Sequence, residues 1–341
     1  MSPNASTTPR DKQSLDYILR SGFAGGVAGC VAKTVVAPLD RVKILFQASN
    51  PDFKKYAGTW SGAFRAGAEI YKEGGGWALF QGHSATLIRI FPYAAIKFMA
   101  YDQVHHVLMP TRADETNLRR FAAGAFSGTI TVFFTYPLEL IRVRMAFQTR
   151  NSNPSSPFKD TRPTFIQAMR YLYREGTPAL ASTHTPIPSS SAPPPSATKK
   201  LFHYFPILKF YRGFTVTIAG MIPYAGTSFL VWGFLRARFL PPKEASRKQR
   251  TPMADLTFGA ISGAISQTVS YPFEIVRRRM QVGGLTRPDR WLGWSETVRD
   301  IWRANGWRGF YVGLGIGYLK VVPMTAVSFA VWQAGKHVLG V

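Results

Sequence analysis

One short pattern occurs three times along this chain, and it limits the possible folds more than any other feature. The stretch "APLDRVKILFQ" at 37–47 returns as "YPLELIRVRMAFQ" at 136–148 and as "YPFEIVRRRMQ" at 271–281. Each copy has a proline, then an acid two residues later, then a base three residues after the acid. Self-similarity at a long period indicates a chain built from one repeated supersecondary unit.

Two further blocks follow the proline pattern in every copy. The first is an acid or asparagine before glycine, followed by an aromatic-x-Gly triplet: "FQG" (80–82), "YRG" (211–213) and "YVG" (311–313). The second is an apolar stretch with its own proline: "RIFPYAAIKF", "GMIPYAGTSF" and "KVVPMTAVSF". Each repeat is therefore predicted to contain a long helix, a polar loop with a short helix, and a second long helix.

Paired glycines precede each signature proline at a fixed distance. The pairs are Gly25 and Gly29, Gly124 and Gly128, and Gly259 and Gly263. This GxxxG spacing places two small residues on one helix face and lets helix backbones approach closely in a membrane. We expect such close approaches at these glycines.

Six stretches are long and apolar enough to be candidate membrane spans. Three have no charged residue: 121–138, 214–235 and 256–273. The other three, 21–39, 85–99 and 309–335, contain only isolated bases, at Lys33, Arg89, Lys97 and Lys320. The sequence therefore predicts an all-α membrane protein with six transmembrane helices, arranged as three tandem two-helix repeats.

The repeats set the predicted domain boundaries. They give an N-terminal arm at 1–15 and two-helix repeats at 16–110, 116–240 and 252–341. The second repeat is lengthened by a low-complexity insertion, 177–209, with a Pro/Ser-rich centre that has nothing to bury. The first 20 residues lack a charged start followed by an apolar region, so we expect no cleavable presequence.

The net charge of the chain indicates what kind of partner it binds. The formal net charge of +24 predicts an anionic partner such as a phosphorylated small molecule, lipid headgroups or nucleic acid. A nucleic-acid-binding protein remains a remote alternative, but its bases would cluster on one face and would not punctuate apolar spans. Cys30 is the only cysteine and the histidines are scattered, so we expect no metal, no cofactor and no enzymatic activity.

Taken together, the three registered repeats resemble the mitochondrial carrier family. Within it, "AKTVVAPLDRVKILFQ" and "LFQGHSATLIRIFPYAAIKFMAYD" are most similar to the coenzyme A carriers and the Graves disease carrier branch. The resemblance implies a six-helix bundle with pseudo-threefold symmetry in the inner mitochondrial membrane, with both termini facing the intermembrane space and the short helices in the matrix. It also implies that the N-terminal arm and the loop at 241–250 face the cytosolic side.

The repeated charges are best explained as a ring between helices. Kinked helix ends converging on a threefold axis can pair Asp40 with Arg142, Glu139 with Arg277, and Glu274 with Lys43. The competing interpretation is that each acid pairs with the base on its own helix. In the family such a ring is the matrix gate, and the resemblance implies glutamine braces beneath it. Gln47 and Gln281 occupy the brace positions, whereas the second repeat has Ala146 and should lack its brace.

The resemblance implies a weaker gate on the cytosolic side. Family members carry aromatic-acid-x-x-base near the ends of the even-numbered spans. This chain departs from that pattern, with "YDQVH", "WGFLR" and "WQAGK" in the three repeats, and Asp102 with Arg236 is the only full pair that remains. Gln333 and Lys336 occupy the corresponding gate positions of the third repeat. His105 at the same gate could make it pH-sensitive, although a histidine at a helix end is commonly just solvated.

The substrate site is predicted between the two gates. Charged side chains inside a span are costly and usually face a cavity or a transport path. Arg89 and Lys320 occupy equivalent positions before a span proline, Lys33 adds a third cation, and the middle repeat has Gly220 and Met221. Bases suit phosphate, and a Gly-aliphatic pair leaves room for a flat ring.

In the family this combination indicates a carrier of coenzyme A or a related adenine nucleotide, such as ADP or adenosine 3',5'-diphosphate. An ADP/ATP-type carrier is the near alternative, but Gln281 follows "RRRM" where those carriers have an RRRMMM run. The expected reaction is exchange of substrates across the membrane by alternating access. The carrier is expected to act as a monomer. Cardiolipin is the expected lipid partner, near "YAG" (56–58) and "WLG" (291–293).

Overall fold

The computed structural model describes residues 15–111, 116–149, 164–175, 205–239, 252–286 and 292–339. These residues form α-helices and 3-10 turns and contain no strand. The α-helices are α1 (Leu15–Gln47), α2 (Trp60–Gly74), α3 (His83–Leu108), α4 (Asn117–Phe147), α5 (Phe165–Arg174), α6 (Phe214–Phe239), α7 (Pro252–Thr286), α8 (Trp294–Asn305), α9 (Leu314–Leu319) and α10 (Val321–Leu339). The loop at 241–250 and the part of the insertion at 177–204 lie outside the described residues.

The described helices follow the repeat order that the sequence predicts. Each repeat has a first long helix (α1, α4, α7), a short helix (α2, α5, α8) and a second long segment (α3, α6, α9 with α10). The first long helices are the first, third and fifth of the six long segments, and we call them the odd-numbered long helices. The signature prolines Pro38, Pro137 and Pro272 lie inside the first long helix of each repeat. The second long helix of each repeat packs along the first long helix of the next, since α3 contacts α4, α6 contacts α7 and α10 contacts α1. The three repeats therefore close into a ring.

Four helical segments of the described chain are long and apolar enough to cross a membrane. They are Arg20–Gln47, Arg119–Phe147, Pro206–Phe239 and Trp294–Val338. The two remaining long helices, α3 and α7, are not among these four segments. Composition alone therefore supports four spans, although six long helical segments are present in the described part of the chain.

The aromatic-x-Gly triplet starts the second long helix of each repeat. Its glycine has a positive φ in all three copies, +85° at Gly82, +79° at Gly213 and +83° at Gly313. This left-handed backbone is strained for residues with a Cβ, which explains the recurrent glycine. In the second and third repeats, the tyrosine before the signature proline holds the same turn. Tyr136 donates to the carbonyl of Arg212 (2.6 Å), and Tyr271 to that of Val312 (3.0 Å).

The GxxxG glycines do not all serve as close-approach sites, contrary to the sequence expectation. A Cβ added at Gly128 would lie 3.1 Å from Cε of Met221, which is a tight contact with α6. At Gly29 the nearest atom would be 3.8 Å away, which is ordinary contact. No atom lies within 4 Å of the position of such a Cβ at Gly25, Gly124, Gly259 or Gly263. In this conformation those helix faces border open space.

The buried core lies mainly at the end of the bundle that carries the short helices. We call this the matrix end, after the orientation that the resemblance implies. Each short helix packs on the first long helix of its own repeat, as Ile301 of α8 does on Ile275 of α7. A further apolar cluster, the matrix plug, joins the three odd-numbered long helices and contains Ile44, Ala48, Val143, Ala146, Phe147, Val282 and Leu285. This end of the bundle is closed.

The predicted insertion has a structured end. Residues 205–209 are described, and Pro206–Tyr211 form a 3-10 turn that leads into α6. Lys209 is buried, and its Nζ donates to the backbone carbonyls of Tyr173 and Glu175 at the end of α5. The last residues assigned to the insertion therefore belong to the packed part of the second repeat.

Candidate substrate site and gates

Three ion pairs join α1, α4 and α7 above the matrix plug. Arg142 Nη2 lies 2.8 Å from Asp40 Oδ2, and Lys43 Nζ lies 3.0 Å from Glu274 Oε1. Arg277 contacts Glu139 directly in the third pair. Each pair joins two different helices, as the ring interpretation expects, and the acids do not pair with the base on their own helix. We call these three pairs the charge ring.

Two of the ring acids have additional cationic partners. Asp40 also contacts Lys320, at 2.7 Å between Oδ1 and Nζ. Glu139 also contacts Arg278 at 3.1 Å and Arg89 at 3.3 Å. Asp40 and Glu139 are only 7% and 6% exposed, so they need these partners to offset the cost of burying a charge. Glu274 has one ion-pair partner among the described residues, Lys43.

The predicted substrate cations converge on this ring. Arg89 on α3 and Lys320 between α9 and α10 are half-buried and bind the ring acids directly. Lys33 lies seven residues before Asp40 and so on the same face of α1, where its Nζ is 3.4 Å from the sulfur of Met324. The three cations therefore line the interior just above the closed end, whereas Lys97 is exposed.

Gly220 and Met221 lie on α6 but make packing contacts. A Cβ at residue 220 would lie 2.9 Å from Cβ of Phe273, so the glycine lets α6 approach α7. The end of the Met221 side chain approaches Gly128 on α4. This packing explains the small residue at 220 without a ligand, and the substrate role of both residues stays a prediction.

The two predicted brace glutamines are fully buried beside tyrosines of neighbouring helices. Gln47 Nε2 donates to the hydroxyl of Tyr271 (3.0 Å), and Gln281 Nε2 donates to that of Tyr136 (3.1 Å). Gln281 also accepts a hydrogen bond of 2.9 Å from Arg278, which itself contacts Glu139. Ala146 belongs to the apolar plug instead.

The predicted cytosolic pair is not formed in this structure. Asp102 is exposed and makes no ion pair with Arg236. Two bases at this end lie over an aromatic ring one turn earlier on their own helix. Arg236 is 5.1 Å from the Trp232 ring, and Lys336 is 4.7 Å from the Trp332 ring. Gln333 is exposed. Among the described residues, the ion pairs that join the first long helices of the three repeats therefore lie at the matrix end.

One buried ionic cluster was missed by the sequence reasoning. Glu175, at the end of α5, pairs with Arg144 of α4 and with Arg212, the latter at 2.8 Å. Burial favours the neutral acid, but Arg144 and Arg212 outweigh it and hold the pKa of Glu175 below its ordinary value. The signal was present in the sequence, because only the second repeat combines the acid before glycine with a base in the aromatic-x-Gly triplet.

Other chemistry has little support in the described residues. No group of three or more His, Cys, Asp or Glu residues lies close enough there to hold a metal ion. The buried charges are instead arranged in pairs between helices. The fold and the charge ring together define a repeat-built membrane protein with one end closed by ion pairs.

Comparison with known proteins agrees with this class. The mitochondrial carrier protein family model matches residues 15–112, 113–243 and 248–340. The chain is 42% identical to an uncharacterized mitochondrial carrier of Schizosaccharomyces pombe, over 99% of both chains. It is 40% identical to mitochondrial carrier protein LEU5 of Saccharomyces cerevisiae, over 99% of this chain and 96% of that protein. It is 35% identical to solute carrier family 25 member 16 of Homo sapiens, over 94% of this chain and 88% of that protein.

The chain belongs to the mitochondrial carrier family. It is a solute carrier of the inner mitochondrial membrane, with several membrane-spanning helices. Proteins of this family are transporters and not enzymes.

Proposed function

We propose that this carrier exchanges coenzyme A, or a related adenine nucleotide, across the inner mitochondrial membrane by alternating access, with all six long helical segments as spans. The observation that carries this proposal is the convergence of Lys33, Arg89 and Lys320 just above the closed end. Three cations in a membrane interior need anionic partners, and a phosphorylated substrate carries several negative charges. Arg89 can bind a phosphate through two parallel hydrogen bonds, and Lys320 acts as a point charge.

The same contacts suggest how substrate binding is coupled to opening. In this structure, Arg89 and Lys320 neutralise Glu139 and Asp40. A phosphate that draws these cations away leaves both acids with fewer partners in a poorly solvated interior. The charge ring is then weakened at two of its three pairs, which favours separation of the helices at the matrix end. The substrate thereby lowers the barrier to its own passage.

The alternative substrate is an adenine nucleotide of the ADP/ATP type, which would use the same three cations. Gln281 favours coenzyme A over this alternative, because it interrupts the run that marks ADP/ATP carriers. In this structure Gln281 is fully buried and hydrogen-bonded to Tyr136, so the residue takes part in closing the matrix end.

Cardiolipin is the proposed lipid partner at the matrix end, and the proposed carrier is a monomer. A cavity of about 640 Å³ lies between the first and third repeats and is lined by Ala57, Gly58, Arg308 and Gly313, among others. Free backbone N–H groups at helix starts, together with bases, suit phosphate headgroups. Leu292 and Gly293 precede α8, whereas the first residue of "WLG" lies outside the described residues.

Exchange in proteoliposomes tests the substrate. Vesicles preloaded in turn with coenzyme A and with ADP would be given labelled coenzyme A or ADP, and uptake would be followed. We expect coenzyme A to exchange in both directions. Arg89→Ala should abolish the exchange, whereas the exposed Lys97→Ala is the matched control and should exchange normally. Exchange of a dicarboxylate or amino acid, with none of either nucleotide, would reject the proposal.

A further inference from the structure

A second set of contacts closes the matrix end beside the charge ring, beginning with Arg41. This residue is 4% exposed, and its guanidinium donates to the carbonyls of Ala146 (3.3 Å) and Gln148 (3.0 Å). Asn50 donates to the carbonyl between them, that of Phe147, at 2.9 Å. Because α4 ends at Phe147, these carbonyls have no partner within their own helix. The first repeat therefore caps the end of α4.

Arginines of the other two repeats make contacts in the same cyclic order. Arg144 on α4 is 3% exposed and donates from Nε to the carbonyl of Gln281, near the end of α7, at 3.1 Å. Arg279 on α7 donates from Nη2 to the hydroxyl of Ser49, two residues past the end of α1, at 2.7 Å. Each repeat thus holds the end of the first long helix of the next repeat.

These contacts run in the opposite direction to those of the charge ring. In the ring, Arg142 of the second repeat reaches back to Asp40 of the first. Beside it, Arg41 of the first repeat reaches forward to the end of α4. Cations are favourable at the carbonyl end of a helix, where the macrodipole is negative. Each pair of neighbouring odd-numbered helices is therefore linked in both directions.

Arg41 explains an irregularity of the repeat. Arg144 and Arg279 occupy equivalent positions, but the first repeat has Leu45 there. Leu45 is fully buried in the apolar core of its repeat. Arg41 precedes it by one helical turn on α1 and so reaches the same level of the bundle.

We propose that Arg41, Arg144 and Arg279 form an arginine collar, a second closure of the matrix end in which each repeat holds the end of the next odd-numbered helix. Arg41 makes the contact with the next helix that the apolar side chain of Leu45 cannot make. The collar must open together with the charge ring for a solute to pass. The inference rests on the proposed alternating access but not on the identity of the substrate.

Labelling of a buried cysteine tests the collar. In a Cys30→Ser background, Ala48→Cys places a reporter in the matrix plug, where residue 48 is 5% exposed. The purified protein, without added substrate, is treated with a hydrophilic maleimide, and the labelling rate reports how often the matrix end opens. Arg41→Met should raise this rate at least about tenfold, because two hydrogen bonds from a charged donor are lost. Arg65→Met on the exposed face of α2 is the matched control and should leave it unchanged.

A milder variant keeps the test decisive if Arg41→Met does not fold. Ser49→Ala removes one acceptor of the collar and no charge, so we expect a rise of about threefold. Labelling at the control rate in every folded collar variant would overturn the proposal. A carrier that fails to exchange coenzyme A but shows the expected labelling would reject the substrate proposal and keep the collar.

Discussion

Lys320 binds Asp40 through a contact of 2.7 Å on the oxygen that Arg142 leaves free. Lys320 was expected to bind substrate, and Asp40 was expected to close a gate. The structure brings the two residues into contact, so the proposed substrate site and the charge ring are directly joined. We therefore expect a substitution of Lys320 to affect the charge ring, and a substitution of Asp40 to affect substrate binding.

Lys320→Met should abolish exchange and leave the fold intact. Methionine keeps much of the length and removes the charge, while Arg142 still neutralises Asp40. Uptake in proteoliposomes and a thermal melt measure the two effects. Lys320→Arg should retain part of the activity, because a cation remains. Unchanged uptake in Lys320→Met would show that this lysine is not part of the transport path.

Swapping the acid and the base of one ring pair should preserve substrate exchange only where neither residue contacts a third charged side chain. Lys43→Glu and Glu274→Lys each place like charges together and should block exchange. The double variant re-forms an ion pair, and we expect a coupling of about 0.5–3 kcal/mol in its stability. The matched double variant, Asp40→Arg with Arg142→Asp, should not recover, because Lys320 would then face an arginine. Equal recovery of both double variants would contradict this account of Lys320.

Much of this architecture could be predicted from the sequence because it is repeated. The three ring pairs follow from the proline pattern together with threefold closure, and the structure contains all three. The bonds from Arg89 and Lys320 to ring acids could not be predicted, because they depend on how far the second long helices lean into the bundle. The sequence pattern shows that a charge lies inside a span but not which charge it meets.

The role of glycines was the least predictable part. A GxxxG pattern shows where helices can approach, but Gly25 borders open space in this conformation, whereas Gly220, outside any such pattern, meets Phe273. The cap of α4 by Arg41 was also out of reach, because Arg41 has no counterpart in the other repeats. Contacts that break the internal symmetry leave no repeat signal in the sequence.

Gly220→Ala should destabilise the carrier, because its new Cβ would lie 2.9 Å from Phe273 and force α6 and α7 apart. Overpacking of this kind costs about 1–3 kcal/mol. Gly226→Ala is the matched control on the same helix, since no atom lies within 4 Å of its added Cβ, and alanine there should be neutral or slightly stabilising. A thermal melt distinguishes the two. If Gly220→Ala melts as the wild type but loses exchange, residue 220 acts on substrate and not on packing.

Glu175 should make the stability of the carrier depend on pH. Its pKa is held below the ordinary value of 4.5 in the folded state, so its contribution is complete above that pH. As the pH falls below 4.5, the unfolded chain takes up the proton first, and the contribution shrinks until the folded carboxylate is also protonated. Glu175→Gln should cost about 3 kcal/mol at neutral pH, since Arg144 and Arg212 lose their buried counter-charge. Melting temperatures of both proteins, measured from pH 7 downwards, should converge in acid; a difference that stays constant below pH 4.5 would show that the charge of Glu175 does not stabilise the fold.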